Sequence, residues 1–132
     1  MKITSLLITA SATLFLSACG QPSTTTLMEK GSFAMWQGRW SDAAEKYTEI
    51  THMHPGDWEA HLNLGKCLLE LDDPKGAAAS LEIANTVVPS NLEVSDLLAE
   101  CYLVAGDENK LFTFLESQAK EQQTVRAWMR FA

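Results

Sequence analysis

Residues 24–57 read TTTLMEKGSFAMWQGRWSDAAEKYTEITHMHPGD, and residues 58–91 read WEAHLNLGKCLLELDDPKGAAASLEIANTVVPSN. Shifting the first stretch forward by 34 places lays Gly31 on Gly65, Ala43 on Ala77, Tyr47 on Leu81, Ile50 on Ala84 and Pro55 on Pro89. A second shift carries Gly65 to Ala99, Cys67 to Cys101 and Leu81 to Leu115. Self-similarity at this period marks an array of stacked supersecondary units, which presents an extended surface and does not enclose a catalytic pocket.

Within the unit, small residues stand where two helices must approach closely, a bulky side chain fills the gap, and a proline follows the second helix. Gly38, Trp40, Ala43, Tyr47, Ile50 and Pro55 carry this pattern in the first stretch. Leu64, Gly65, Leu68, Pro74, Ala77, Leu81, Ala84 and Pro89 carry it in the second. At these spacings the sequence resembles the tetratricopeptide repeat, over roughly residues 24–125. The third unit departs from the pattern, with Leu111 and Gln118 in place of small residues and Gln123 in place of the proline. The resemblance implies an all-α solenoid of three helix-turn-helix units, 24–57, 58–91 and 92–125, with a short capping helix at 125–132.

Local signals place the helices. The first runs from Leu27 to Gln37 and stops at Gly38; its partner runs from Ser41, an N-cap residue, to Met53 ahead of Pro55. Asp57 caps a helix from Trp58 to Leu71, and Asp73-Pro74 starts the next, because proline at the first helical position forfeits no hydrogen bond. Asn91 caps a helix to Ala105 and Asp107 one to about Ala119. No stretch alternates with period two for long enough to suggest a sheet. Val125, Trp128, Met129 and Ala132 recur at helical spacing, as in the start of a seventh helix. That segment either covers the last hydrophobic face of the array or marks a chain shortened relative to its relatives.

The N-terminus follows a different logic. Lys2 precedes an uncharged apolar run from Ile3 to Leu16, the pattern of a secretory signal peptide over residues 1–18. Leu16-Ser17-Ala18-Cys19 resembles the lipobox of bacterial lipoproteins, which implies cleavage after Ala18 and lipidation of Cys19. Anchoring by three acyl chains is far firmer than by one, since each buried CH2 adds about 0.8 kcal/mol. Gly20 stands where an aspartate would favour retention in the inner membrane, so the resemblance implies an outer-membrane anchor facing the periplasm. Residues 19–26 carry no charge and read as a tether.

Loss of Lys2 with the leader takes the formal charge from −7 to −8. That balance argues against nucleic acid and against docking on anionic lipid through charge, and it would tolerate a basic partner. Cys67 and Cys101 occupy equivalent positions in adjacent units, which stacking separates by roughly 10 Å. A disulfide needs Cα atoms within about 7 Å, so two free, buried thiols are expected.

No catalytic constellation and no cofactor motif stands out. His52, His54 and His61 cluster around Pro55-Gly56, but no carboxylate or cysteine completes a tetrahedral metal set. They read as two solvent-facing histidines and one at a helix interface. The informative signal lies on the first helix of each unit, where a wheel at about 100° per residue separates two faces. In the second unit Leu64, Leu68 and Leu71 form the core stripe, with Leu62 and Leu69 roughly 150° away beside Lys66 and Glu70.

In tetratricopeptide arrays this second face lines a concave groove that receives peptides or helices. The first unit offers Met28, Met35 and Trp36 there, the second Leu62, Asn63, Lys66, Leu69 and Glu70, and the third Asp96, Glu100 and Leu103. Some family members grip a terminal carboxylate with lysine, arginine and asparagine. Here only Asn63 fits that scheme, and Met28, Ser32, Glu93 and Leu97 replace the rest, so a carboxylate would be repelled. The expectation is a lipid-anchored adaptor resembling the assembly lipoproteins of pilus, secretion and tight-adherence systems, with a protein segment in its groove. The alternatives are a structural lipoprotein that self-associates weakly through its C-terminal end, or an accessory to an envelope enzyme.

Overall fold

The backbone repeats as regularly as the sequence. A computed structural model describes residues 22–131, without the side chains of Thr124, Val125, Ala127, Trp128, Arg130 and Phe131. The leader, Cys19 and the first residues of the tether lie outside the described residues. The described chain forms six helices and no strand: α1 (Thr24–Trp36), α2 (Trp40–Met53), α3 (Trp58–Glu70), α4 (Pro74–Val87), α5 (Leu92–Val104) and α6 (Glu108–Phe131). Each packs on its neighbours in sequence, and α3 also touches α5.

Three N-caps recur 34 residues apart. Ser23 Oγ accepts from the Thr26 amide at 3.2 Å, Asp57 Oδ1 from Ala60 at 3.1 Å and Asn91 Oδ1 from Val94 at 3.2 Å. Each satisfies one of the amides that a helix start leaves unpaired. The second helices repeat the device with Asp73 and Asp107, which accept from the Gly76 and Lys110 amides. Arg39, at the corresponding place before α2, makes no such bond.

The corner inside each unit is also periodic. Gly38, Asp72 and Gly106 have φ of 72°, 58° and 71°. At each, the amide of the following residue reaches back five positions, as Arg39 N–H does to Ala34 O at 2.9 Å. Asp73 to Leu68 and Asp107 to Tyr102 repeat that bond at the same length. This is the Schellman ending, which needs a left-handed residue after the helix.

Four sequence expectations are corrected here. Ser41 lies inside α2, because the Schellman corner closes at Gly38 and the helix starts directly after Arg39. Thr24–Thr26, read as tether, form the first turn of α1 because Ser23 caps it. Leu71 is not on the core stripe; it is the C-cap of α3 and 43% exposed. Residues 125–131 do not begin a seventh helix but continue α6, since no glycine or proline interrupts the chain from Glu108 to Phe131.

Two buried clusters hold the stack together. One gathers Leu27, Ala34, Tyr47, Ile50, Leu64 and Cys67 around α2, and the other gathers Leu62, Leu81, Val94, Leu98, Cys101 and Tyr102 around α4. The glycines set the helix spacing. A Cβ on Gly31 would stand 2.9 Å from Tyr47 Cζ, and one on Gly65 2.7 Å from Leu81 Cγ, and both facing side chains are fully buried. In the third unit Ala99 supplies that methyl, and its counterpart Leu115 is 50% exposed. Leu111 occupies the place of Ala43 and Ala77, so α6 cannot approach α5 as closely as the earlier pairs approach each other. Leu111 and Phe114 are only partly buried against the second cluster. Cys67 and Cys101 are free and buried, and burial pushes both thiols up to about 11.

Candidate functional site

The first helices of the three units, α1, α3 and α5, border a common recess of about 630 Å³. Met35 closes it from α1 and Trp40 from the start of α2. Lys66 and Glu70 enter from α3, and Glu93, Asp96 and Leu97 from α5. The spacing follows from helical periodicity: Lys66 and Glu70, like Glu93 and Leu97, are four apart and share a face.

One ion pair spans the recess, with Lys66 Nζ 2.6 Å from Glu93 Oε1. It joins consecutive units, and its partly exposed position in solvent makes it a modest stabiliser. Glu70 and Asp96 have no ion-pair partner among the described residues. The recess therefore presents two uncompensated carboxylates beside Met35, Trp40 and Leu97. Such a surface favours a segment carrying both a basic and an apolar side chain.

Most groove residues expected from sequence fall into three groups, whereas Trp36 is 81% exposed and does not line the recess. Met35, Lys66 and Glu70 line the recess. Met28, Asn63 and Leu69 are half-buried, with Met28 packed on the first cluster and Leu69 on the second. Glu100 and Leu103 are exposed one and two turns beyond Asp96 on α5, and Leu103 is 68% exposed. Leu62 is a correction, since it is only 5% exposed and belongs to the second cluster. A middle helix of a solenoid meets neighbours on more than one side, so a wheel that assigns it a single buried face misplaces Leu62. Substituting Leu62 would therefore perturb the core before it probed the groove.

Trp40, a packing residue of the repeat pattern, and Leu97, at a clamp position, both contribute apolar wall to the recess. The pattern of α2 gave no sign of this for Trp40, which reaches the recess because α2 starts two residues after the left-handed corner at Gly38.

The remaining polar clusters are structural. His52 and His54 are exposed, whereas His61 is buried with Nε2 3.0 Å from Pro55 O. No group of residues suited to a metal ion occurs among the described residues. Tyr102 donates to Glu82 Oε1 at 2.7 Å, and Lys110 Nζ approaches the same oxygen at 3.2 Å while standing 5.6 Å over the Tyr102 ring. Burial, reinforced by the bond to Glu82, raises the Tyr102 hydroxyl well above the usual phenol range. This cluster ties α4, α5 and α6 together.

A stack of helix pairs with small residues at the seams and a groove along its first helices defines a helical-repeat binding module. Residues 34–101 match the tetratricopeptide repeat, and the chain belongs to that family. Among solved structures it is similar to the TPR2B domain of yeast Sti1 in complex with pHsp70, at 17% identity and a TM-score of 0.66, covering 79% of this chain and 83% of that one. It is also similar to a D159K mutant of MamA, at 15% identity and a TM-score of 0.68. That match covers 83% of this chain and 59% of the MamA chain. At these identities the likeness concerns the fold. No protein of curated function matches the sequence.

Proposed function

We propose that the protein is a lipid-anchored adaptor of the bacterial envelope that holds a segment of a protein partner in the recess along α1, α3 and α5. The observation that carries this reading is the recess itself, with Met35, Trp40 and Leu97 as apolar wall and Glu70 and Asp96 as carboxylates without an ion-pair partner among the described residues. Family membership supports a scaffolding role, and the Sti1 domain in complex with pHsp70 is an instance of the fold engaging a protein. Fully burying one leucine or methionine of a partner contributes about 1.5–3 kcal/mol, less the cost of ordering it. Two or three such side chains suffice for a moderate, specific contact.

The lipobox at Leu16–Cys19 supports acylation of Cys19, and Gly20 supports an outer-membrane location facing the periplasm. An adaptor placed there serves assembly of an envelope machine of the pilus, secretion or adherence type. A photo-crosslinking residue at position 70 should give a discrete adduct in cells, absent when the same residue stands at position 83 on α4. Asp96→Lys, a change at an exposed position, should strongly weaken that adduct without unfolding the protein. Identical adducts from both positions would sink the groove reading. Cys19→Ser should release the protein into the soluble periplasmic fraction, and retention in the membrane contradicts the anchor.

A further inference from the structure

The first helix of the stack has a face that none of the described residues covers. Leu27, Gly31 and Ala34 turn inward and are buried. On the opposite side, at about 100° per residue, lie Thr25, Glu29, Phe33 and Trp36, all exposed. Phe33 is 54% exposed and Trp36 81%, and the two rings stack with centroids 5.9 Å apart and planes at 22°. Holding two large aromatic rings together in water is unusual on a surface without a partner.

We propose that this face of α1 rests on the lipid surface to which Cys19 is attached, with Trp36 and Phe33 in the headgroup layer. The inference rests on the anchor reading given above. Three observations select a bilayer over other occupants. The first is reach: from Cys19 to Thr24 the chain can extend at most about 18 Å, so α1 is held beside the membrane. The helix has 13 residues and is about 20 Å long, so even Trp36 at its far end can meet the surface if α1 lies flat.

The second is charge. The chain without its leader carries a formal charge of −8, which an anionic leaflet repels, yet the only ionised residues of α1 are Glu29 and Lys30, which cancel. The third is side-chain chemistry, because tryptophan concentrates at membrane interfaces where one edge of the ring is wet and the rest apolar. With α1 on the bilayer, the later helices rise away from it in order. The recess then opens alongside the membrane.

The test uses the acylated protein, beginning at Cys19, reconstituted into vesicles of phosphatidylethanolamine and phosphatidylglycerol, with and without lipids brominated in the acyl chain. A variant with Trp40, Trp58 and Trp128 changed to Phe leaves Trp36 as the only indole. Its emission should move to the blue, fall by about half or more against brominated chains, and resist aqueous iodide. Where the triple variant does not fold, Trp36→Phe in the otherwise native chain should remove most of the bromine-dependent quenching. Protein that floats with the vesicles while Trp36 stays open to iodide and blind to bromine overturns the inference and leaves the anchor intact. Protein that does not float with the vesicles overturns both. Shielding of Trp36 that appears only as protein concentration rises assigns the face to a second copy, which also overturns it.

Discussion

Gly65→Ala tests the packing rule that organises the stack, because α3 and α4 meet where that glycine faces Leu81. An added Cβ would stand 2.7 Å from Leu81 Cγ, 3.0 Å from Cδ2 and 3.2 Å from Cδ1. Ordinary carbon contacts are about 3.5–4.0 Å. The nearest atom is the branch point of a fully buried side chain, so relief requires Leu81 or the helix to move. Overpacking of this kind costs about 1–3 kcal/mol, and alanine returns about 1 kcal/mol of helix propensity. The expected net is a loss of about 0–2 kcal/mol. Leu81→Ala alone should cost about 2–5 kcal/mol, but in that background Gly65→Ala should stabilise, because the methyl enters space that Leu81 has vacated. Equilibrium urea unfolding, followed by circular dichroism with the m-value checked for constancy, measures all four corners of the cycle. A Gly65→Ala protein more stable than the parent in the native background refutes the argument.

Asp72 holds a left-handed φ of 58° where the other two corners have glycine, so Asp72→Gly should raise stability by about 0.5–1 kcal/mol, read as an increase in Tm. Tyr102→Phe removes a hydrogen bond to a carboxylate and should cost about 1 kcal/mol. Lys110→Ala, which loses a half-exposed ion pair and the approach of the ammonium to the Tyr102 ring, should change stability by less than about 1 kcal/mol in the same urea assay. The buried thiols titrate near 11 instead of the usual 9.0, so their contribution is complete below pH 9. It declines as the unfolded state begins to ionise and is lost by about pH 11, at up to roughly 2–3 kcal/mol per thiol. Cys67→Ala with Cys101→Ala should flatten the decline of stability between pH 9 and 11, and in the parent at pH 8 an alkylating reagent should reach neither cysteine before unfolding.

Much of the architecture was legible because it rests on residues with one physical use. Asp57, Asn91, Asp73 and Asp107 read as caps and act as caps. Gly65 reads as a point of close approach and Gly31 as its counterpart 34 residues earlier, and each faces a fully buried side chain. The equivalence of Cys67 and Cys101 foretold two free thiols. What the sequence hid depends on neighbours distant along the chain. Leu62 is buried because α4 and α5 reach it, which a wheel drawn for α3 alone cannot register. Ser41 resembled a cap, but the bond from Arg39 N–H to Ala34 O had already turned the chain. The groove was legible as a face, through Met35, Lys66 and Glu70, and not as a volume. Trp40 and Leu97 join it only once the helices are stacked.

Ala99 makes in the third unit the change that Gly65→Ala would make in the second, and Leu115 is left half in solvent. Local opening should therefore begin at the α5–α6 seam and leave the two glycine seams closed, so the molecule unlocks in a fixed order from its C-terminal end. Amides of α6 should exchange with solvent well before those of α2 to α4, and a protease admitted there would trim the last helix from a body still carrying its groove.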